Sequence, residues 1–248
     1  MNRGLKRAGW FAAGGLAAAA LGWFGYATLS WKRYGKTIRR RHVDTLLDRY
    51  MPSYEVAEQH DVQVRAPASI TYDVLRAMDP LMSPLVRAIF RGRELLLGAD
   101  QAPAHEPRSI VDQTLALGWR ILAEEPGREI VVGAVTKPWE ANVTFKGLSP
   151  DDFLDFDEPG YVKIVWTLAA EAIAPDRSVA WTETRVTTTD PDARRRFRQY
   201  WAVFSPGILA IRRAGLHRVR ADAERRFQIE VAMREAASRA PDESLTSS

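Results

Sequence analysis

The sequence predicts an α+β protein in which a curved antiparallel sheet packs on a long C-terminal helix, preceded by one transmembrane helix. Three observations support this fold class. Residues 191–237 carry apolar side chains at helical spacing, with arginines between them. The stretch before them alternates apolar and polar residues between turn signals, as strands do. An uncharged run of 24 residues, 8–31, lies near the N-terminus.

The C-terminal helix is the most strongly patterned element. Its apolar positions are Phe197, Trp201, Phe204, Ile208, Ile211, Gly215, Val219 and Phe227. Asp190 is suited to the N-cap and Pro191 to the first helical position. Pro206 cannot donate to a carbonyl in the preceding turn, so we expect the helix to kink or restart there. A helix this long and one-sided needs a broad apolar partner, which the predicted sheet provides.

The composition restricts the chemistry. At 248 residues, 46% hydrophobic and 27% charged, the chain is long and apolar enough for a well-packed globular core. The sequence contains no cysteine, which excludes disulfides, thiol catalysis and thiolate metal sites. The formal net charge of +4 is a modest basic excess, and its location is more informative than its size.

The uncharged run near the N-terminus predicts a single membrane anchor. Trp10 and Trp31 bracket it, and 21 helical steps between them span about 32 Å, close to the hydrocarbon thickness of a bilayer. The alternative is a cleaved secretory signal, for which Gly25-Tyr26-Ala27 is a poor cleavage site. We favour the anchor because the run is long for a signal core.

Basic residues predict how the anchor is oriented. Those that follow it are Lys32, Arg33, Lys36, Arg39, Arg40 and Arg41, against three before it. The positive-inside rule then predicts a single-pass protein of the cell inner membrane with a cytoplasmic globular domain. The same basic residues could lie against anionic lipid headgroups.

The chain therefore divides into four predicted parts. These are a membrane anchor (1–31), a basic juxtamembrane linker (32–57), a globular domain (58–237) and a disordered tail (238–248). Within the domain the expected elements are a strand at 60–66, helices at 70–78 and 85–97, a loop at 98–109, a hairpin of 117–125 and 128–135, a short strand at 142–146, an acidic turn-rich tract at 151–158, and a hairpin of 161–173 and 179–189.

This order of elements resembles the START-like, or SRPBCC, superfamily, whose helix-grip fold closes a curved sheet on a C-terminal helix. Residues 60–68 (HDVQVRAPA) resemble the strand and turn that open the fold, and residues 182–190 resemble its entry into the last helix. Residues 118–129 are similar to a run in uncharacterised bacterial members. The resemblance implies an apolar ligand held between sheet and helix, and for some members cyclisation of that ligand. It carries no catalytic residue over to this chain.

Candidate ligand-binding residues come from the tryptophans, the last strand and the long helix. They are Trp119, Trp139, Trp166, Trp181, Glu183, Arg185, Trp201, Ile208 and Ile211. Tryptophan suits a cavity wall, although ordinary core packing is the more frequent role for any one of them. Trp181, Glu183 and Arg185 alternate along one face of the last strand. That face could orient a ligand's polar group, or it could face solvent while Thr182 and Thr184 face inward.

Other chemistries find little support in the sequence. The acidic tract 151–158 lacks the ligand order of a calcium loop, and the four histidines are scattered, so we expect no metal and no cofactor. Neither G-x-S-x-G nor G-x-G-x-x-G is present. The arginines of the C-terminal helix are mixed with carboxylates, and we expect no nucleic-acid partner.

The favoured hypothesis is a membrane-tethered START-like domain that binds a lipid-like or other hydrophobic small molecule. Two alternatives stay open. One is a cyclase-like enzyme on the same fold, which requires at least one carboxylate, histidine or arginine facing the ligand. The other is an adaptor protein without a ligand.

Overall fold

The centre of the structure, a computed structural model that describes residues 21–35, 45–79, 83–98 and 108–239, is an antiparallel sheet. Its strands are β1 (Val56–Val64), β2 (Arg120–Glu125), β3 (Glu129–Thr136), β4 (Phe145–Lys146), β5 (Val162–Ala174) and β6 (Arg177–Thr188). The order across the sheet is β1-β6-β5-β3-β2, and the two-residue β4 pairs with β3. Bulges interrupt the register in β2 and β5, a feature that bends strands.

Seven helices are seen in the described residues. They are α1 (described over residues 21–33), α2 (Thr45–Tyr50), α3 (Ala68–Ala77), α4 (Pro84–Leu97), α5 (Ile110–Ala116), α6 (Pro150–Asp155) and α7 (Pro191–Arg239). The 49 residues of α7 extend about 74 Å. An antiparallel sheet with a long C-terminal helix packed against it is the arrangement of the helix-grip fold.

The two faces of the sheet carry different layers. Ile130 and Val132 of β3 share an apolar cluster with Leu216 of α7, on what we call the inner face. Their neighbours Val131 and Val135 point the other way and pack with residues of α2 and α6, on what we call the outer face. Every residue of β3 is buried, which explains why its sequence is apolar from Ile130 to Val135.

The long helix begins as predicted and does not stop at its proline. Asp190 Oδ1 accepts hydrogen bonds from the backbone N–H groups of Asp192 (2.7 Å) and Ala193 (3.0 Å), which is the N-cap arrangement. The helix runs without a break through Pro206 to Arg239. A restart at Pro206 was therefore a wrong expectation, because contacts along the helix outweigh the one hydrogen bond that proline removes.

The two predicted hairpins are confirmed, and two short helices were missed. β2 and β3 pair around residues 126–128, and β5 and β6 pair around residues 175–176. Helix α6 forms within the acidic tract that was expected to consist of turns, and α5 follows the predicted loop. The side chains of Ser109 and Ser149 each cap one of these helices, a three-residue capping pattern with Asp112 and Asp152 that the sequence contains.

The N-terminal part of the chain is described only from residue 21. Most of the predicted anchor, and the predicted tail beyond residue 239, lie outside the described residues. Within the described ranges, no helix combines the length and apolar character needed to cross a bilayer. Instead, α1 contacts α7: Ser205 donates a hydrogen bond to Ser30 Oγ (3.0 Å), and Arg198 donates one to the Trp31 carbonyl (3.0 Å). Trp31, at the end of the uncharged run, therefore contacts the globular domain through Arg198.

Candidate functional site

A group of polar side chains lies on the inner face, where the sheet meets α7. Glu58 and His60 of β1 pair across the sheet with Thr184 and Thr182 of β6. Residues directly opposite each other in antiparallel strands point to the same face, so all four side chains share the inner face. Arg212 of α7 approaches this face from the other side. We call these five residues the inner polar cluster.

Arg212 ties the cluster to the helix. One of its terminal nitrogens donates a hydrogen bond to Thr184 Oγ1, and the other lies 3.5 Å from the backbone carbonyl oxygen of Glu58. The guanidinium thus bridges β6 and β1 from α7. Because the contact at Glu58 is to the backbone oxygen, it does not neutralise the arginine's charge.

Apolar clusters flank the polar cluster at both ends. On β1, Val56 belongs to one apolar cluster and Val64 to the other, with Glu58 and His60 between them. The same order holds on α7, where Ile208 precedes Arg212 and Leu216 follows it. The polar groups therefore form a narrow band in an otherwise apolar interface, the composition typical of small-molecule sites.

Burial changes the protonation of these groups. Desolvation raises the pKa of Glu58, opposed by the nearby charges of Arg212, Arg33 and Arg213. It lowers the pKa of His60 to about 4, and the positive charge of Arg212 adds to this effect. Desolvation also lowers the pKa of Arg212 to about 10, which still leaves it protonated at neutral pH. At pH 7 the cluster thus contains a neutral imidazole beside a permanent cation.

His60 has a second unusual property. Its Nε2 atom is buried and has no hydrogen-bond partner among the described residues. A buried polar atom left without a partner costs on the order of 1–3 kcal/mol, so it is uncommon in a purely structural core. Across the described ranges there is no group of three or more metal-binding side chains. The side chains of the inner polar cluster can form hydrogen bonds, bind a charged group and transfer protons.

Most of the predicted ligand-binding residues also lie near the inner face. Trp166 pairs with Thr184 across β5 and β6 and packs on the same apolar cluster as Trp119. Trp139, Trp201 and Ile208 pack together in the cluster at the other end. Ile211 is half-buried. The Trp201 ring lies 5.8 Å from that of Phe197 in a tilted arrangement, and the Trp119 ring lies 5.1 Å from that of Phe145, so both also serve ordinary packing.

Trp181, Glu183 and Arg185 lie on the outer face, which corrects the expectation that they line the space beneath α7. Arg185 forms ion pairs with Glu183 (2.7 Å) and with Asp48 of α2 (2.6 Å), and donates to the Met51 carbonyl (2.8 Å). Solvent does not reach this face either, since all three side chains are buried. The three side chains thus face neither a ligand site beneath α7 nor solvent. The predicted inward orientation of Thr182 and Thr184 is confirmed.

Sequence reasoning missed Glu58, His60 and Arg212 for identifiable reasons. The first strand begins at Val56, four residues earlier than expected, so Glu58 fell outside the predicted strand. Arg212 was counted among the arginines that lie between the apolar positions of the helix. It in fact follows Ile208 by four residues and precedes Leu216 by four, which is the spacing of the buried stripe. A charged residue at a position of the buried stripe could have indicated that Arg212 faces the sheet.

Small residues of α7 do not by themselves leave open space. A side-chain carbon added to Gly215 would meet Met78 Sδ at 3.3 Å, and one added to Gly207 would meet Ile89 Cγ2 at 2.9 Å. These glycines allow α3 and α4 to approach α7 closely. Met78 therefore fills the space beside Gly215.

Comparisons with known proteins extend only to structures. No protein-family model matches the sequence, and no curated protein matches it. A hypothetical protein of Helicobacter pylori aligns over 76% of this chain and 98% of its own, with a TM-score of 0.37 and 10% identity. Norcoclaurine synthase of Thalictrum flavum aligns over 74% of this chain and 95% of its own (TM-score 0.32, 12% identity). The Zhui aromatase/cyclase of Streptomyces sp. R1128 aligns over 69% and 94% (TM-score 0.26, 16% identity). The fold assignment rests on the sheet order and on α7.

Proposed function

We propose that the protein binds a lipid-like or other hydrophobic small molecule between the inner face and α7, and that its N-terminal segment holds it at a membrane. The observation that carries the binding proposal is the inner polar cluster. Arg212 and the unpartnered His60 Nε2 lie in an interface that is apolar on both sides. A packed core has no need for such groups, whereas a ligand site uses a few of them to orient its occupant.

Solvent extraction of the purified full-length chain, followed by mass spectrometry, tests this proposal. His60→Trp should fill the interface beside Arg212 and exclude the ligand. His217→Trp is the matched control, because His217 is an exposed residue of α7. We expect a hydrophobic molecule in near-stoichiometric amount from the wild type and from the control, and its loss from His60→Trp. If none of the three extracts contains such a molecule, the ligand-free adaptor is the better explanation. If all three contain it, the ligand does not lie beside His60.

The membrane proposal is supported by the uncharged run 8–31 and the basic residues that follow it. The described part of α1 adds exposed apolar side chains on the side away from α7: Leu21 is 75% exposed and Phe24 is 76% exposed. Large apolar residues at a protein surface commonly mark a contact with lipid or with another protein. We propose the inner membrane, with the globular domain in the cytoplasm.

Alkaline carbonate washing of bacterial membranes distinguishes the tether from the cleaved signal. An anchored chain stays in the membrane pellet, and Leu16→Arg together with Leu21→Arg should release it. N-terminal sequencing of the mature chain should begin at the start of the sequence. A chain that begins after Ala27 would instead establish cleavage.

A cyclase-like enzyme is the second candidate, and one observation favours it. Glu58 and His60 lie on the same face two residues apart, and burial favours the neutral form of each. A carboxyl group and a neutral imidazole are a suitable pair for general acid–base catalysis. Glu58→Gln separates the two functions. An enzyme should accumulate a different molecule in the extract of this variant, whereas a binding protein should yield the same molecule as the wild type.

A further inference from the structure

The positive charges of Arg185 and Arg212 are compensated to very different extents by neighbouring carboxylates. On the outer face, Arg185 is matched by the carboxylates of Glu183 and Asp48 at 2.7 and 2.6 Å. On the inner face, Arg212 forms no ion pair with any described residue, and its two hydrogen bonds go to a hydroxyl and to a backbone carbonyl. The carboxyl group of Glu58 acts on Arg212 electrostatically without forming an ion pair with it, so the charge of Arg212 is less well compensated than that of Arg185.

The surroundings of Arg212 are positive rather than neutral. Arg33 and Arg213 act electrostatically on the same region, and both are exposed at its edge. The carboxyl group of Glu58 is the opposing charge that these arginines share. Three guanidinium groups around one carboxyl group leave an excess of positive charge where α7 meets β1.

We infer that the polar end of the bound molecule is an oxyanion, such as the carboxylate of a fatty acid, and that Arg212 is the residue that binds it. This inference rests on the proposed function. His60 Nε2 and the Thr182 hydroxyl add hydrogen-bonding groups on the same face. The apolar tail then packs beside Trp166, Trp201 and Ile208, which flank the cluster.

The chemistry selects an amphipathic anion over a neutral lipid. A guanidinium can donate two parallel hydrogen bonds to a carboxylate, and such charge-assisted bonds are about twice as strong as neutral ones. A fatty alcohol of the same chain length offers the same apolar area without the charge. The difference in affinity between the acid and the alcohol therefore isolates the contribution of Arg212 from that of the apolar interface.

Equilibrium dialysis of radiolabelled dodecanoate and dodecanol against the full chain in lipid nanodiscs measures that difference, with empty nanodiscs as the blank. We expect the wild type to bind dodecanoate roughly tenfold or more tightly than dodecanol, the range typical of a hydrogen bond to a charged group. Arg212→Gln should remove the preference and Arg212→Lys should retain most of it. The control is Arg225→Gln on the exposed side of α7, where Arg225 pairs with Asp222 at 2.7 Å; it should behave as the wild type.

The outcomes separate this inference from the proposed function. If the wild type binds acid and alcohol equally, the oxyanion inference fails while hydrophobic binding stands. If neither compound binds above the blank, the proposed function fails with it. A preference that persists in Arg212→Gln assigns the anion to another residue and overturns the role of Arg212. The comparison within the wild type remains decisive even if Arg212→Gln does not fold.

Discussion

Tyr34 donates a hydrogen bond of 2.5 Å to Glu55 Oε2 and thereby joins the end of α1 to the strand layer. The same carboxylate accepts a hydrogen bond from Thr188 Oγ1 at 2.8 Å, at the end of β6, and Arg194 of α7 lies 3.7 Å away. Burial and the hydrogen bond to Glu55 raise the pKa of Tyr34, so the phenol stays protonated and remains a donor. Glu55 is thus the point at which α1, the sheet and α7 meet.

Replacing Tyr34 with Phe should release α1 from the domain. The variant loses one hydrogen bond to a charged acceptor, and we expect a loss of about 1.5 kcal/mol in the free energy of unfolding. Thr188→Val is the matched control, because it removes the other side-chain hydrogen bond to Glu55 without touching α1. Trypsin should cut after Lys32 or Arg33 faster in Tyr34→Phe than in the control. Equal cutting rates in the two variants would show that the hydrogen bond does not hold α1.

The outer-face arginine should act on stability and leave ligand binding unchanged. Arg185→Met leaves the buried carboxylate of Glu183 without its cation, and we expect a loss of about 3–5 kcal/mol. Adding Glu183→Gln should recover part of that loss, since no buried charge is then unpaired. Arg177→Met on the same strand is exposed and should change stability by less than about 0.5 kcal/mol. Urea unfolding measures all of these, and equal losses in Arg185→Met and Arg177→Met would refute the role of the ion pairs.

His60 should make the stability of the fold depend on pH. Its pKa is about 4 in the folded protein, below the ordinary value of 6.5, so the unfolded chain binds the proton more readily in that interval. Stability from the neutral imidazole is complete above pH 6.5, declines as the pH falls, and is lost below about 4. We expect about 1.5 kcal/mol, well under the full equivalent of the shift, because the side chain is only half-buried.

The comparison of wild type with His60→Gln isolates this contribution from that of Glu58, whose raised pKa acts in the opposite direction. Chemical unfolding at a series of pH values from 4 to 8 measures the difference in unfolding free energy. The wild type should lose stability relative to His60→Gln as the pH falls from 6.5 toward 4. A difference that is constant over this range would mean that His60 is not desolvated.

The cap of α7 should be sensitive to acid. The backbone N–H groups of Ala193 and Gly160 donate to Asp190 and hold the pKa of its carboxyl group below the ordinary value. Asp190→Ala should therefore lower the melting temperature at neutral pH, and the effect should shrink as the pH falls through the range where the carboxylate titrates. Asp192→Ala is the control in the same first turn, since the only described residue with which Asp192 forms an ion pair is the exposed Arg195. A larger effect from Asp192→Ala would contradict the capping role.

Elements with a clear local pattern could be predicted from the sequence. The hairpins β2–β3 and β5–β6 follow from alternation and from Pro-Gly and Pro-Asp turns, and the start of α7 follows from Asp190 and Pro191. These features depend on neighbours in the chain. The short helices α5 and α6 escaped because seven or fewer residues give too little periodicity, and only their serine caps mark them.

The inner polar cluster could not be predicted because it depends on register. Pairing Glu58 with Thr184 places the carboxyl group on the inner face, whereas a shift by one residue would place it on the outer face. Only the packing of α7 against β1 and β6 distinguishes Arg212 from the other arginines of the helix. The contact of Ser30 with Ser205 joins residues far apart in the chain, and no local sequence pattern predicts it.

The position of a bound molecule tests the central claim most directly. A twelve-carbon probe with a photoreactive diazirine in its chain can be crosslinked to the full-length protein, and the labelled peptides mapped by mass spectrometry. We expect labels on inner-face residues near Arg212, namely around Trp166 of β5 and Ile208 of α7. Labels confined to exposed Leu95 and Leu96 of α4, or to the α2 side of the sheet, would contradict it.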